Sequence, residues 1–171
     1  MRIRISGIVQ DSIVDGPGLR TAVFVQGCSH GCPGCHNPDT HDPSGGQEMD
    51  TEDILADLMK NPLCAGLTLS GGEPFEQAGP CLSLACGAHA LGKNVWTYTG
   101  YTLEALQAKE DPYIARLLAE TDVLVDGPYL AEQRSLEIKF RGSKNQRLID
   151  MKRTTPGCIV LWQDPWESLE S

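Results

Sequence analysis

Cys28, Cys32 and Cys35 lie on one short stretch, Cys28-Ser29-His30-Gly31-Cys32-Pro33-Gly34-Cys35, spaced C-x3-C-x2-C. Thiolates crowded on a loop suit an iron–sulfur cluster or zinc. Three are one fewer than a closed structural site takes. A cubane [4Fe–4S] cluster held by three cysteines leaves one iron without a protein ligand, and that iron can bind a reactant. The competing reading is a structural zinc knot completed by His36 or His41. Cys35 and His36 are adjacent, which fits one tetrahedron poorly.

Further along, the apolar run Leu67-Thr68-Leu69 enters Ser70-Gly71-Gly72-Glu73-Pro74. A glycine pair after a strand is by itself an ordinary turn. It also permits close backbone approach to a ligand, and Glu73 can accept a hydrogen bond from an ammonium group. Asp126 follows a second apolar strand, Val123-Leu124-Val125. Near the start, Asp15 and Arg20 in Val14-Asp15-Gly16-Pro17-Gly18-Leu19-Arg20 read on their own as a turn residue and a surface charge.

Taken together and in this order, these segments resemble the radical S-adenosylmethionine (SAM) superfamily. The cysteine spacing and Gly71-Gly72-Glu73 carry the superfamily likeness, and Val14 to Arg20 resembles the signature of activases of glycyl radical enzymes. Arg141-Gly142-Ser143-Lys144-Asn145-Gln146-Arg147, Trp96-Thr97-Tyr98-Thr99-Gly100-Tyr101 and Val123-Leu124-Val125-Asp126-Gly127 resemble the group that serves anaerobic (class III) ribonucleoside-triphosphate reductase. The likeness runs from about Gly7 to about Asp150.

The resemblance implies one [4Fe–4S] cluster on Cys28, Cys32 and Cys35, which act in catalysis through it. It implies SAM contacts from Gly34, His36, Gly71, Gly72, Glu73 and Asp126, with His36 packing on the adenine and Glu73 near the methionine amino group. Asp15, Gly16 and Arg20 would face the partner's glycyl loop. The implied activity is reductive cleavage of SAM, using a low-potential electron donor such as flavodoxin. The radical so formed would take a hydrogen atom from a glycine of the reductase. Two departures stand out. Superfamily members usually carry an aromatic just before the last cysteine, where this chain has Gly34; the reductase activases resemble this chain in having Cys-Pro-Gly-Cys. Pro128 stands where larger activases place a lysine, so the SAM carboxylate has no assigned partner. The alternatives are an activase of another glycyl radical enzyme, another small radical SAM enzyme, or a non-enzymatic iron–sulfur or zinc module. The last would have no use for Gly71-Gly72-Glu73.

Composition fits such a protein. The chain has 171 residues, a formal charge of −9 and seven cysteines. That length predicts one domain, 1–171, divided into N-terminal strands 1–27, a cluster loop 28–47, a β/α core 48–130 and a C-terminal tail 131–171. The acidic balance argues against nucleic acid, and no apolar run approaches a bilayer span. Met1-Arg2-Ile3-Arg4-Ile5-Ser6 does not read as a secretory signal, so a cytoplasmic location is expected. An odd number of cysteines in a reducing compartment argues for metal or catalysis over disulfides. Cys64, Cys81, Cys86 and Cys158 are expected as small buried hydrophobes. Basic residues gather late, at Lys139, Arg141, Lys144, Arg147, Lys152 and Arg153, either as a solvated hairpin or as a cationic edge facing an acidic partner.

The elements that must position the motifs follow from periodicity. Ile3 to Val9 and Thr21 to Gln26 read as strands around the Asp15-Gly16-Pro17-Gly18 turn, and Asp39 to Gln47 as loop. A helix capped by Asp50 or Thr51 ends at Asn61-Pro62. Strands at Leu67 to Leu69, Asn94 to Thr97 and Val123 to Val125 alternate with helices at Cys81 to Leu91 and Leu103 to Glu120, the latter broken at Asp111-Pro112. His89, in the middle of the first of these two helices, reads as structural. Ile159 to Trp162 reads as a closing strand, with Trp162 and Trp166 packing back on the core. The alternation predicts an α/β fold with a parallel sheet and right-handed crossovers. A full barrel needs about 250 residues, so the expectation is a partial, open β/α barrel of the radical SAM type. The motifs then converge on the C-terminal ends of the strands.

Overall fold

The computed structural model describes residues 1–35, 38–135 and 137–165. Strand β1 (Arg2–Ser12) runs antiparallel to β2 (Arg20–Val25), whose end releases the cysteine loop. An edge strand β3 (Gln47–Asp50) pairs with the other side of β1. There follow α1 (Thr51–Met59), β4 (Gly66–Gly71), α2 (Ala78–Ala90), β5 (Asn94–Tyr98), α3 (Leu103–Gln107), α4 (Pro112–Glu120), β6 (Val123–Asp126) and β7 (Arg147–Asp150). The helix starts obey local chemistry. Asp50 accepts from the Glu52 amide at 3.1 Å, and Asp111 from the Tyr113 amide at 2.9 Å, with Pro112 in the first turn.

The strands form one seven-stranded sheet in the order β3-β1-β2-β4-β5-β6-β7. The four central strands β2, β4, β5 and β6 are parallel, as the alternation predicts. The outer strands β1, β3 and β7 are antiparallel, so the wholly parallel sheet is corrected to a mixed one. The short loop between β1 and β2 leaves no room for a crossover. Strands β3 and β7 are edge strands of four residues with polar sequences, Gln-Glu-Met-Asp and Arg-Leu-Ile-Asp, and lack the apolar run of the buried strands. That is why neither of them reads as a strand in the sequence. Ile159 to Trp162 is not a strand but a single bridge, Leu161 to Ile149, with Trp162 donating its amide to Leu148 O at 2.8 Å.

Each face of the sheet is covered differently. Alternate residues such as Val23, Leu69, Val95 and Leu124 meet the helices in the main core, with Leu84 and Ala88 of α2 and Leu117 of α4 against them. The opposite parity places Trp96, Val123 and Val125 against the tail residues Phe140, Leu148 and Trp162. Trp162 meets Trp96 edge to face at 4.9 Å, so the expected packing of the tail on the core holds even though the strand does not. Trp166 lies outside the described residues. Among the described residues no helix is long and apolar enough to cross a membrane.

The cysteines outside the loop divide. Cys64 and Cys81 are buried, whereas Cys86 and Cys158 are exposed, which corrects the expectation for these two. Positions five apart on a helix point about 140° away from each other. Burial of Cys81 therefore turns Cys86 outward.

Candidate active site

On the tail-covered face, beyond Trp96, the sheet opens into a cavity of about 610 Å³. Its floor follows from strand register. Phe24 of β2 pairs with Ser70 of β4, and Tyr98 of β5 lies one step beyond the Leu69–Thr97 pair, so the three cross the sheet in a row. The walls are the cysteine loop, Gly71 and Gly72, Thr99 and Gly100, Gly127, and the tail residues Arg134, Ser135, Ile138 to Gly142 and Gln146. Ligand sites in parallel α/β sheets form at these C-terminal strand ends. The loops predicted to converge do converge.

Cys28, Cys32 and Cys35 all line this cavity and are half-buried. Burial, with the negative charge of Glu73 and Glu76 nearby, pushes the Cys28 thiol up to about 11. Three bare thiolates side by side would be costly here, and a cationic metal group reverses that by neutralising them. Among the described residues no three His, Cys, Asp or Glu side chains converge on a single ion. A cubane does not ask them to, because each cysteine binds a different iron. A second observation suits a ligand with an anionic end: Arg141 Nε, on the opposite wall, is buried without a hydrogen-bond partner. The donor set and the cavity fit an iron–sulfur cluster with a small charged ligand beside it.

Glu73 is fully buried and acts as a clamp. It accepts from Thr99 Oγ1 at 2.9 and 3.0 Å, from the Gly100 amide at 2.8 Å and from the Phe75 amide at 3.1 Å, and pairs with His30 Nε2 at 2.5 Å. His30 stands between Cys28 and Cys32, so one carboxylate joins the cluster loop to the ends of β4 and β5. The hydrogen bond to Glu73 raises the His30 pKa, against a lowering by burial. Tyr101 packs edge-on to the His30 ring at 4.5 Å. Next to it, Ser29 donates both its amide and its hydroxyl to Glu76. The preceding glycines have their own reason. A Cβ on Gly72 would sit 2.3 Å from Gly27 O, and the Gly72 and Glu73 amides donate to Val25 O and Gly27 O at 2.7 and 2.8 Å. The pair docks the end of β4 directly on the root of the cysteine loop.

The other predicted site residues fall in different places. Gly71 and Gly72 line the cavity, while the Glu73 carboxylate faces inward and is saturated by protein donors. Asp126 is likewise turned inward and buried: Arg147 donates to both its oxygens, at 3.0 and 2.5 Å, and the Leu103 amide donates at 2.8 Å. Gly34 abuts Tyr129 and Ala131, and His36 lies outside the described residues. Asp15 lines the cavity mouth beside Val14, which is 71% exposed. Arg20 is the clear correction. It is fully buried, donating to Thr68 Oγ1 at 2.8 Å, Leu67 O at 2.9 Å and Pro17 O at 3.2 Å, with its guanidinium 5.7 Å from the centre of the Trp96 ring. Thr68 Oγ1 in turn donates a hydrogen bond to Asp15 O at 2.7 Å. Gly16 is shaped by the same residue, since a Cβ there would meet Arg20 Cδ at 2.7 Å. Arg20 carries the turn from below and presents nothing to a partner.

Sequence reasoning passed over His30. Its position between two cysteines drew attention to the sulfurs, and only the fold brings Glu73 to it across 43 positions. Of the late cations, Arg147 serves Asp126 and Glu104, and Lys152 reaches Asp122 at 2.9 Å. Arg134, Lys139 and Arg141 reach the cavity wall.

The family model described as a 4Fe-4S single cluster domain matches residues 14–149. The anaerobic ribonucleoside-triphosphate reductase-activating protein of Vibrio cholerae is 39% identical over 143 residues, 78% of this chain and 89% of that protein. The chain belongs to this family of activating proteins. Its relatives of the same name include that of Salmonella typhi, 37% identical over 142 residues covering 78% of this chain and 90% of the relative. That of bacteriophage T4 is 37% identical over 144 residues, 79% of this chain and 86% of the relative. Membership makes the protein an enzyme with an iron–sulfur cofactor. A solved structure of QueE from Escherichia coli overlays on 60% of this chain and 54% of its own at 19% identity, with a TM-score of 0.47. That likeness is too loose to carry an argument.

Proposed function

We propose that this protein activates an anaerobic ribonucleoside-triphosphate reductase by generating a glycyl radical on it, using SAM. The observation that supports this most is the convergence of the three cysteines and Gly71-Gly72 on one cavity, in a chain of the activating-protein family. The domain is the whole of 1–171, on a partial β/α barrel, and the location is the cytoplasm. Electrons come from a low-potential donor such as flavodoxin.

When bound, a [4Fe–4S] cluster would supply one electron to split the sulfonium S–C5′ bond of SAM into methionine and a 5′-deoxyadenosyl radical, which would become 5′-deoxyadenosine by taking a hydrogen atom from the partner's glycine Cα. Cys28, Cys32 and Cys35 would hold the cluster. His30, clamped by Glu73, fixes the loop between the first two cysteines, so that their sulfurs stay in place while charge moves. Gly71 and Gly72 offer backbone at the cavity edge with no side chain in the way. Phe24 and Tyr98 give an apolar floor that keeps water from a radical. Asp15, at the mouth, belongs to the rim that an incoming polypeptide loop would meet, with Gly16 buried behind it.

Anaerobic reconstitution tests the reading. The expected product is a brown protein with about four irons per chain that releases 5′-deoxyadenosine from SAM only under a strong reductant. A colourless, air-stable protein holding one zinc per chain would overturn it.

A further inference from the structure

Pro128 leaves the SAM carboxylate without the lysine that larger activases provide, and the cavity wall offers three cations in its place: Arg134, Lys139 and Arg141. They are not equivalent. Arg134 and Lys139 are exposed, and Lys139 already lies 3.5 Å from Asp164. Arg141 is half-buried and held on one side only. Its Nη1 donates to Gln146 O at 3.0 Å, while its Nε is buried with no partner. An N–H in that state loses its water without replacement, so the native structure is expected to supply an acceptor there.

The loop that carries Arg141 is fixed by a second set of bonds. Gln146 Oε1 receives the Gly142 amide at 2.8 Å and the Ser143 amide at 3.2 Å, and its Nε2 donates to Gly127 O at 3.0 Å. Asn145 Nδ2 adds a bond to Pro128 O at 2.8 Å. The Arg141 loop is thereby tied to Gly127 and Pro128, at the strand end where the missing lysine would have stood. From the far end of the chain, the tail delivers a planar cation to that place. A guanidinium offers parallel donors to a carboxylate, which an ammonium does not.

We propose that Arg141 binds the carboxylate of SAM, its Nε and a terminal nitrogen forming the contact, and that the Arg141–Gln146 loop replaces the lysine absent at position 128. This rests on the reading of the cavity as a SAM site. The test compares SAM with decarboxylated SAM, which lacks only that carboxylate, by equilibrium dialysis against anaerobically reconstituted protein. Any contribution of the carboxylate to binding iron is common to wild type and variant, so it cancels when the two ratios are compared.

Arg141→Gln should weaken SAM binding by roughly 10- to 100-fold and leave the affinity for decarboxylated SAM unchanged. Arg141→Lys, which keeps the charge but loses the fork, should fall between, at roughly three- to tenfold. Equal weakening of both ligands, or no change in SAM affinity, overturns the assignment. Should Arg141→Gln fail to melt cooperatively, Arg141→Lys carries the same comparison with the same two contradicting results. Failure of the wild type to bind SAM at all would instead sink the underlying reading.

Discussion

Two histidine–carboxylate pairs sit at opposite ends of the central strands, and they differ in what they hold. At the C-terminal end, Glu73 is fully buried, pairs with His30 and gathers the ends of β4 and β5 under the cluster loop. At the N-terminal end of β6, Asp122 receives His89 Nε2 at 2.8 Å, the Val95 amide at 2.7 Å and Lys152 Nζ at 2.9 Å, while Glu120 meets His89 Nδ1 at 2.7 Å. The second cluster joins α2, α4, β5 and the start of β6, and its rim is open to water: the Asp122 side chain keeps 11% exposure, and those of His89 and Lys152 are 31% and 74% exposed. The same chemistry fixes a reactive loop in one place and fastens helices in the other. Burial separates the roles, because a carboxylate removed from water must keep all its donors or become very costly.

The largest effect should come from the buried pair. Glu73→Ala leaves His30, Thr99 and the Gly100 amide without their acceptor, at a cost of about 3–5 kcal/mol. It should also release iron from the reconstituted protein, measured as iron per chain alongside the unfolding midpoint in denaturant. Full iron retention would show that His30 does not position the cluster loop.

Arg20 sharpens the contrast from another side, as a buried cation outside either pair. Burial lowers its pKa to about 10, which still leaves it charged at neutral pH. Arg20→Ala should cost about 2–4 kcal/mol in unfolding free energy through lost packing and orphaned carbonyls at Leu67 and Pro17. Measured per folded molecule, SAM cleavage should persist. An unchanged stability would return Arg20 to the surface role its sequence position suggested.

Asp122→Asn should cost less, about 1–2 kcal/mol, because water can replace part of what is lost. Iron content should be unaffected, so loss of iron here would erase the distinction between the two ends.

The smallest effect is a pH dependence. Burial disfavours protonation of His89, but hydrogen bonds to Asp122 and Glu120 outweigh it and raise its pKa above the ordinary 6.5. A raised histidine pKa contributes stability that is complete below about 6.5 and is lost as pH climbs through the folded value. The His89 contribution, screened by solvent, should stay under about 1 kcal/mol. The stability gap between wild type and His89→Gln should therefore shrink on going from pH 6 to pH 9 in denaturant titrations. A gap that widens has the wrong sign.

What the sequence made legible follows the same division. The central strands and α2 were readable as apolar runs, and α1 and α4 as apolar stripes that begin at a capping aspartate. The cysteine spacing and Gly71-Gly72 were readable because metal and backbone chemistry demand those residue types locally. Strands β3 and β7 were not, since an edge strand of four residues with charged or polar ends is too short to carry a pattern. Nor were His30 with Glu73, Arg147 with Asp126, or Arg20 beneath its turn. Each is a charged residue whose side-chain partner lies at least 21 positions away. A charge on a sequence reads as surface until the fold supplies what it meets.

The central claim is tested most directly by paramagnetic resonance on the reconstituted protein mixed anaerobically with SAM, a reductant and the anaerobic reductase. The account predicts a glycyl radical doublet on the reductase, accompanied by 5′-deoxyadenosine, and neither product from Cys28→Ala, Cys32→Ala or Cys35→Ala. Release of 5′-deoxyadenosine with no radical on the reductase, or a radical that survives loss of any of the three cysteines, would contradict it.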